Sequence, residues 1–447
     1  MRNAKQPTAR RTGRRVALSA VSLAAGALAL SACGSSGGGS SSQGLTGSTS
    51  KPVTLSFEYQ QPTPGAPNWL LGVEQGFEKL HPNVHFQTAD TLPSNDYLAK
   101  LSSQVGAGTA PDLFIGWTYQ RLTPYAKGGR LFNLKPYLAK SAAYNEVTPF
   151  ALASATVNGG LYAVPLTEDA EIIYYNKAVF KKAGITVPTS YAQFLSDVQA
   201  LKKSGVAPIA LGNTDSFNGS IIYTMLAERL GGFNLYKAAV VSQKTPFNNP
   251  AFVKAGTYLQ QLVKMGAFNS NYGSESIGYA ASLLTSNKAG MFVNGTWETY
   301  ALYQGLGKNL GWFTLPPIAG GQDNSAQQLI ELPNNAISVS ANSPHKAEAV
   351  KFIEYLETQG VQLAEAKAGN SIASKYPLPA SVADPVTASI HSALAQGTPA
   401  MAPWDTLLGV APGEQFDNAT QTLYSGKSPS GVLSGFDALL KTSGATS

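Results

Sequence analysis

Glu168, Asp169, Glu298 and Glu331 are the carboxylates in this chain best placed to do chemistry. A pair of them about 5–10 Å apart would be the equipment for cleaving a glycosidic bond. Spacing alone leaves that pairing open. Other catalytic patterns fail on context. Gly34-Ser35-Ser36-Gly37-Gly38 has the form of a nucleophile elbow, but it stands in a Gly/Ser run with no strand or helix to shape the turn. Gly426-Lys427-Ser428 has Gln421 where a phosphate loop needs its first glycine, and Gly305-Leu306-Gly307 has Leu310 where a dinucleotide fingerprint needs its third. His81 and His85 have a metal-like spacing of four, but Pro82-Asn83 breaks the helix that would align them. No metal or cofactor site is expected. A second chemistry needs no reaction. Tyr59-Gln60-Gln61 and Gly116-Trp117-Thr118-Tyr119 combine flat rings with amides and hydroxyls. That is the combination required by a ligand with apolar C–H faces rimmed by hydroxyls.

Those clusters follow strands. Val53, Leu55, Phe57 and Tyr59 alternate with polar residues, giving a strand by period two. Trp69, Val73, Phe77 and Leu80 then share one helical face, which ends at His81-Pro82-Asn83. Val84–Thr88 reads as strand. Tyr97, Leu98, Leu101 and Val105 form a second helical stripe closed by Gly106–Gly108, and Asp112–Gly116 reads as strand. Strand, helix, strand, helix, strand requires parallel pairing, and ligands of such sheets sit at the carboxyl ends of the strands. The alternation continues with strands at Glu171–Tyr175, Pro208–Leu211 and Ala289–Val293. Helices are expected at Tyr191–Lys203, Ile221–Leu230, Pro250–Met265, Tyr279–Thr285 and Pro344–Thr358.

At the start of the chain, Arg10, Arg11, Arg14 and Arg15 precede the uncharged run Val16–Leu30 and Leu30-Ser31-Ala32-Cys33. An apolar run of about fifteen residues is shorter than the roughly twenty of a spanning helix, so residues 1–32 read as a cleaved signal peptide. Leu-Ser-Ala-Cys resembles a bacterial lipobox, which makes Cys33, the sole cysteine, the lipidated first residue of the mature chain. Residues 33–52, mostly Gly, Ser and Thr, read as a flexible tether. The formal charge of +6 is a property of the leader. Arg2, Lys5, Arg10, Arg11, Arg14 and Arg15 leave with it, and the 32 Lys and Arg fall to 26, equal to the 26 Asp and Glu. Attraction to nucleic acid needs surplus positive charge, so nucleic acid drops out as a partner. The folded part, about Val53 to Lys441, exceeds what one core usually serves, so two lobes are expected.

Several segments resemble the extracellular solute-binding proteins of carbohydrate importers, the family that includes the maltose-binding type. They are Pro111-Asp112-Leu113-Phe114; Gly160-Leu161-Tyr162-Ala163-Val164-Pro165, followed by Tyr174-Tyr175-Asn176-Lys177 and Phe180–Ile185; Lys288–Trp297; and Ala336–Ser340, leading through Ser343-Pro344-His345-Lys346. The resemblance covers nearly the whole mature chain. It implies a two-lobed, type II periplasmic-binding-protein-like α/β fold, its lobes discontinuous and joined by hinge crossovers near Leu166-Thr167, Leu315-Pro316 and Asn370-Ser371. The lobes are then 53–166 plus 316–370 and 167–315 plus 371–447.

The resemblance further implies a sugar captured in the interlobe cleft, without catalysis, for delivery to the permease subunits of an ABC importer. The protein would act as a monomer held at the outer face of the cell membrane by its lipid alone. In that family a Trp in the motif of Trp297 stacks on ligand, and the loop carrying Trp404 supplies another stacking aromatic. Glu168 and Asp169 follow the first crossing and face the cleft as polar contacts. Tyr59, Gln60, Gln61, Trp117, Tyr119, Asn213 and Glu298 are further candidates, and Asn334 and Asn335 stand where relatives have glycines. A binder of peptides or other polar solutes, and a secreted glycosidase, are the alternatives.

Overall fold

Val53, Leu55 and Phe57 point inward from the first strand while the residues between them are more exposed, the alternation expected of a sheet with one face on a core. The computed structural model describes residues 51–61, 68–89, 91–325, 329–396 and 400–442. The signal peptide, Cys33 and all of the tether before Lys51 lie outside the described residues. The strands are β1 Val53–Glu58, β2 Val84–Thr88, β3 Leu113–Gly116, β4 Thr156–Val157, β5 Gly160–Leu161, β6 Val164–Asn176, β7 Ala207–Ala210, β8 Ala289–Gly295, β9 Leu310–Phe313 and β10 Ile330–Val339. β4 and β5 form a hairpin about Asn158-Gly159, both at positive φ as a tight two-residue turn requires.

Among the described residues the remaining eight strands form one sheet in the order β2-β1-β3-β10-β6-β8-β7, with β9 also on β6. β1 lies parallel between β2 and β3, as the strand-helix alternation requires. Two long strands run antiparallel through the middle. Asn334 stands opposite Thr167 and Leu332 opposite Asp169.

The apolar residues separate along this sheet. One core gathers β1–β3, the start of β6, the end of β10 and the helix Lys346–Leu356. Beyond Asp169 the sheet is covered on both faces: Ile173, Ile209, Met291 and Val293 pack on one side, and Ile172, Tyr174, Ala210 and Phe292 on the other. Near-continuous burial of β6 and β8 follows from that double cover.

Helices fall close to their expected positions, Tyr191–Lys203 and Pro250–Met265 among them. Ser190 and Asn249 cap these two by accepting from Gln193 N–H and Phe252 N–H. The helix read at Ile221–Leu230 is longer, Ser216–Tyr236, with a kink at Gly232. Two crossings differ from expectation. Ile318 and Ile330 belong to the second core, so the chain returns to the first along β10 and not at Leu315-Pro316. Past Asn370-Ser371 the backbone still pairs with the first core, through Ala373 to Leu166 and Lys375 to Glu146. The first departure has a simple cause: a crossing made by an unbroken strand carries no turn residue to mark it.

Candidate functional site

Where the two cores meet across β6 and β10 there is a cavity of about 440 Å³. Period two along β6 puts Thr167, Asp169 and Glu171 on its wall, and the paired face of β10 adds Leu332 and Asn334. From the first core come Gln60 after β1, Gly116-Trp117-Thr118 at the end of β3, and Arg121 on the helix Tyr119–Lys127. From the second come Ser220 on the helix Ser216–Tyr236, Trp297 in the turn after β8, and Asp405 and Thr406 on the short helix Trp404–Leu408. Asn370 and Ser371 close one side. Strand ends converging on a crevice are where an open α/β sheet places its ligand.

Six expected residues therefore line the cavity: Gln60, Trp117, Asp169, Trp297, Asn334 and Asn335. Trp117 is stacked on Tyr125, centroids 5.2 Å apart. Trp297 lies over Gly295, where any Cβ would overlap its ring, so the glycine is what admits that ring position. Asp169 accepts from the Thr296 hydroxyl at 2.9 Å, and burial still pushes its carboxyl up to about 6. Asn335 has φ 45°, a left-handed conformation that asparagine tolerates better than most residues. Its side chain donates to Thr167 at 3.2 Å and accepts from Gln60 at 3.4 Å, linking three wall residues before any ligand arrives.

The other expected residues lie elsewhere. Tyr59 continues the inward face of β1, packs 5.0 Å from Phe57 and is pushed by burial up to about 12. Gln61 is exposed. Asn213 is buried and accepts from Gly219 N–H at 3.0 Å, holding the start of its helix. Glu298 is half-buried beside Trp297 without lining the cavity. Trp404 is a core residue, 1% exposed, whose indole N–H donates to Glu228 at 2.8 Å. Its neighbour Asp405 takes the wall position instead.

Glu168 points the opposite way from Asp169, as strand alternation dictates, and accepts from the Thr148 hydroxyl at 2.7 Å. Behind β6 and β10 it shares an electrostatic neighbourhood with Glu331 and Tyr119. One carboxyl oxygen of each glutamate and the Tyr119 hydroxyl have no hydrogen-bond partner among the described residues. Tyr119 adopts φ 50°. Burial raises Glu168 to about 7, and burial plus the Glu168 charge raises Glu331 to about 9. A carboxyl raised on folding stabilises fully below its unfolded value and loses that contribution as pH climbs through its folded value. Stability should therefore decline from the ordinary carboxyl value of 4.5 through about 9. Glu331→Gln is expected to flatten this decline and raise the melting midpoint on the alkaline side. Thermal unfolding on both sides of the window checks it, and parallel profiles would show that the pair does not titrate there.

Arg121, Glu171, Ser220, Asn370 and Asp405 escaped the sequence reading. Glu171 had a signal, standing two residues beyond Asp169 on the same strand face. Arg121 had none: it meets Asp405, its Nη2 3.9 Å from Oδ2, only because two distant helices come together. Among the described residues no group of three or more His, Cys, Asp or Glu side chains could hold a metal ion.

A two-lobed α/β chain with its cavity on the crossing strands has the architecture of a ligand-capturing protein that closes about a hinge. The chain belongs to the bacterial extracellular solute-binding protein family, whose model matches residues 61–363. It is 25% identical over 323 residues to the multiple sugar-binding protein of Streptococcus mutans, covering 70% of this chain and 73% of that one. It matches a structure from work on xylan utilization by the thermophilic bacterium Caldanaerobius polysaccharolyticus, with TM-score 0.78 and 26% identity over 87% of this chain and 100% of that one. A chitin oligosaccharide binding protein shares the fold, with TM-score 0.77 and 22% identity over 88% of this chain and 98% of that one.

Proposed function

We propose that this protein captures a sugar in the cavity between its two cores and hands it to the permease of an ABC importer, without chemical change. The observation that carries the reading is the cavity wall. Trp117 and Trp297 offer ring surface for sugar C–H faces, and Gln60, Asp169, Asn334, Asn335 and Asn370 offer donors and acceptors for hydroxyls. The names of the relatives support sugar over peptide. Ligand would first bind the walls of one core, and contacts from the other would then favour closure, since only differential affinity for the closed state can shift the equilibrium. The leader and Cys33 fit export followed by lipid anchoring, and among the described residues no helix is long and apolar enough to cross a membrane.

Thermal unfolding of the purified protein against mono- and oligosaccharides tests the reading. A ligand bound only by the folded state at about a hundred times its Kd should add about 2.7 kcal/mol. A concentration-dependent rise with one sugar, recovered intact by chromatography, is the expected result. Cleaved sugar would favour the glycosidase, and a rise with peptides alone would favour the peptide binder.

A further inference from the structure

Three carboxyl groups line the cavity, on Asp169, Glu171 and Asp405, against the single guanidinium of Arg121. That guanidinium faces Asp405. Asp169 has the Thr296 hydroxyl. Glu171 differs: it is 7% exposed, and its side chain has no hydrogen-bond or ion-pair partner among the described residues. Further carboxyls, Glu228 and Asp417, stand close enough to act on it, together with Asp405. Arg229, the buried cation beside Glu228, is paired with Asp323 at 2.8 Å. Carboxyl groups thus crowd the cavity at Glu171, and burial together with these neighbours raises Glu171 well above the ordinary carboxyl value.

A sugar hydroxyl can donate a hydrogen bond to Glu171 but cannot balance its charge. Closing the cleft over a lone carboxylate costs several kcal/mol, so the group either keeps a proton or takes a cation. An ammonium group supplies three donors and a compensating charge together. A metal ion would need a ligand set that the described residues do not assemble. We propose that the cavity takes a saccharide bearing a protonated amine, seated against Glu171 and Asp405. This rests on the sugar-capture reading and narrows it. Acidic and phosphorylated sugars are disfavoured by the same carboxyl groups.

Calorimetry near neutral pH, where the amines are still largely protonated, with matched ligands tests the inference. The probes are glucosamine and glucose, galactosamine and galactose, and the β-1,4 disaccharides of glucosamine, N-acetylglucosamine and glucose. In at least one set the amine should bind about tenfold or more tightly than its neutral partners, equivalent to about 1.4 kcal/mol. That preference should fall as pH rises through the amine's own pKa, where the ligand loses its charge. Glu171→Gln should collapse the ratio of amine to neutral affinity towards one, and the pH series on the unaltered protein stands if the variant does not fold. Neutral sugars binding as tightly as amines in every set would overturn the ammonium site and leave sugar capture intact. No binding by any sugar, aminated or neutral, would overturn both.

Discussion

Replacing Trp404 by alanine is expected to cost the protein more stability than any other single change considered, with the denaturant midpoint falling accordingly. The ring is enclosed by Phe252, Phe416, Phe247 and Tyr223, with centroids 4.7, 5.6, 5.8 and 6.2 Å away. Truncating a buried aromatic of this kind costs about 3–5 kcal/mol through lost burial and the cavity left behind. Glu228, itself buried, would also lose its indole donor, and an orphaned buried acceptor adds about 1–3 kcal/mol. Trp404→Phe separates the two contributions, because it keeps most of the volume and removes the N–H. Its expected loss is about 1–3 kcal/mol. Urea unfolding of the two variants measures both. An unchanged midpoint in Trp404→Ala, accompanied by loss of ligand, would place this residue in the cleft after all.

Trp297→Ala should do the reverse. This ring is only half-buried, in the turn after β8, and borders the cavity. Removing a central aromatic from a binding site typically costs about 2–4 kcal/mol, or about 30- to 1,000-fold in Kd. The midpoint without ligand should move far less than in Trp404→Ala, because fewer atoms leave the core. Titration calorimetry with whichever sugar shifts the melting curve gives the affinity. Undiminished binding would remove Trp297 from the site and leave Trp117 as the aromatic wall.

The two tryptophans mark the boundary of what sequence patterns can say. The resemblance implies a stacking role for both, so motif position treats them alike. Their fates diverge because Phe247 and Phe252, more than 150 positions earlier in the chain, pack on Trp404, while Trp297 lies over Gly295 at the edge of the cavity. The carboxylates divide for a more local reason. Glu168 and Asp169 are neighbours on a strand and must face opposite ways, so at most one of them could meet ligand on a given face. Their sequence did not say which face was the cleft. Tyr59 and Gln60 repeat the case: the inward alternation of Leu55 and Phe57 already committed Tyr59 to the core, and that inference was available from period two alone.

The amino-acid order by itself determined six of the strands and the longer helices, the parallel pairing of β1 with its neighbours and the family. These depend on apolar spacing and short motifs, which act over a few residues. The tertiary structure decided the return along β10, the meeting of Arg121 with Asp405 and the crowding of carboxyls at Glu171. Each of these depends on which distant surfaces exclude water from one another, and burial and electrostatic potential become properties of a residue only when the chain has closed around it.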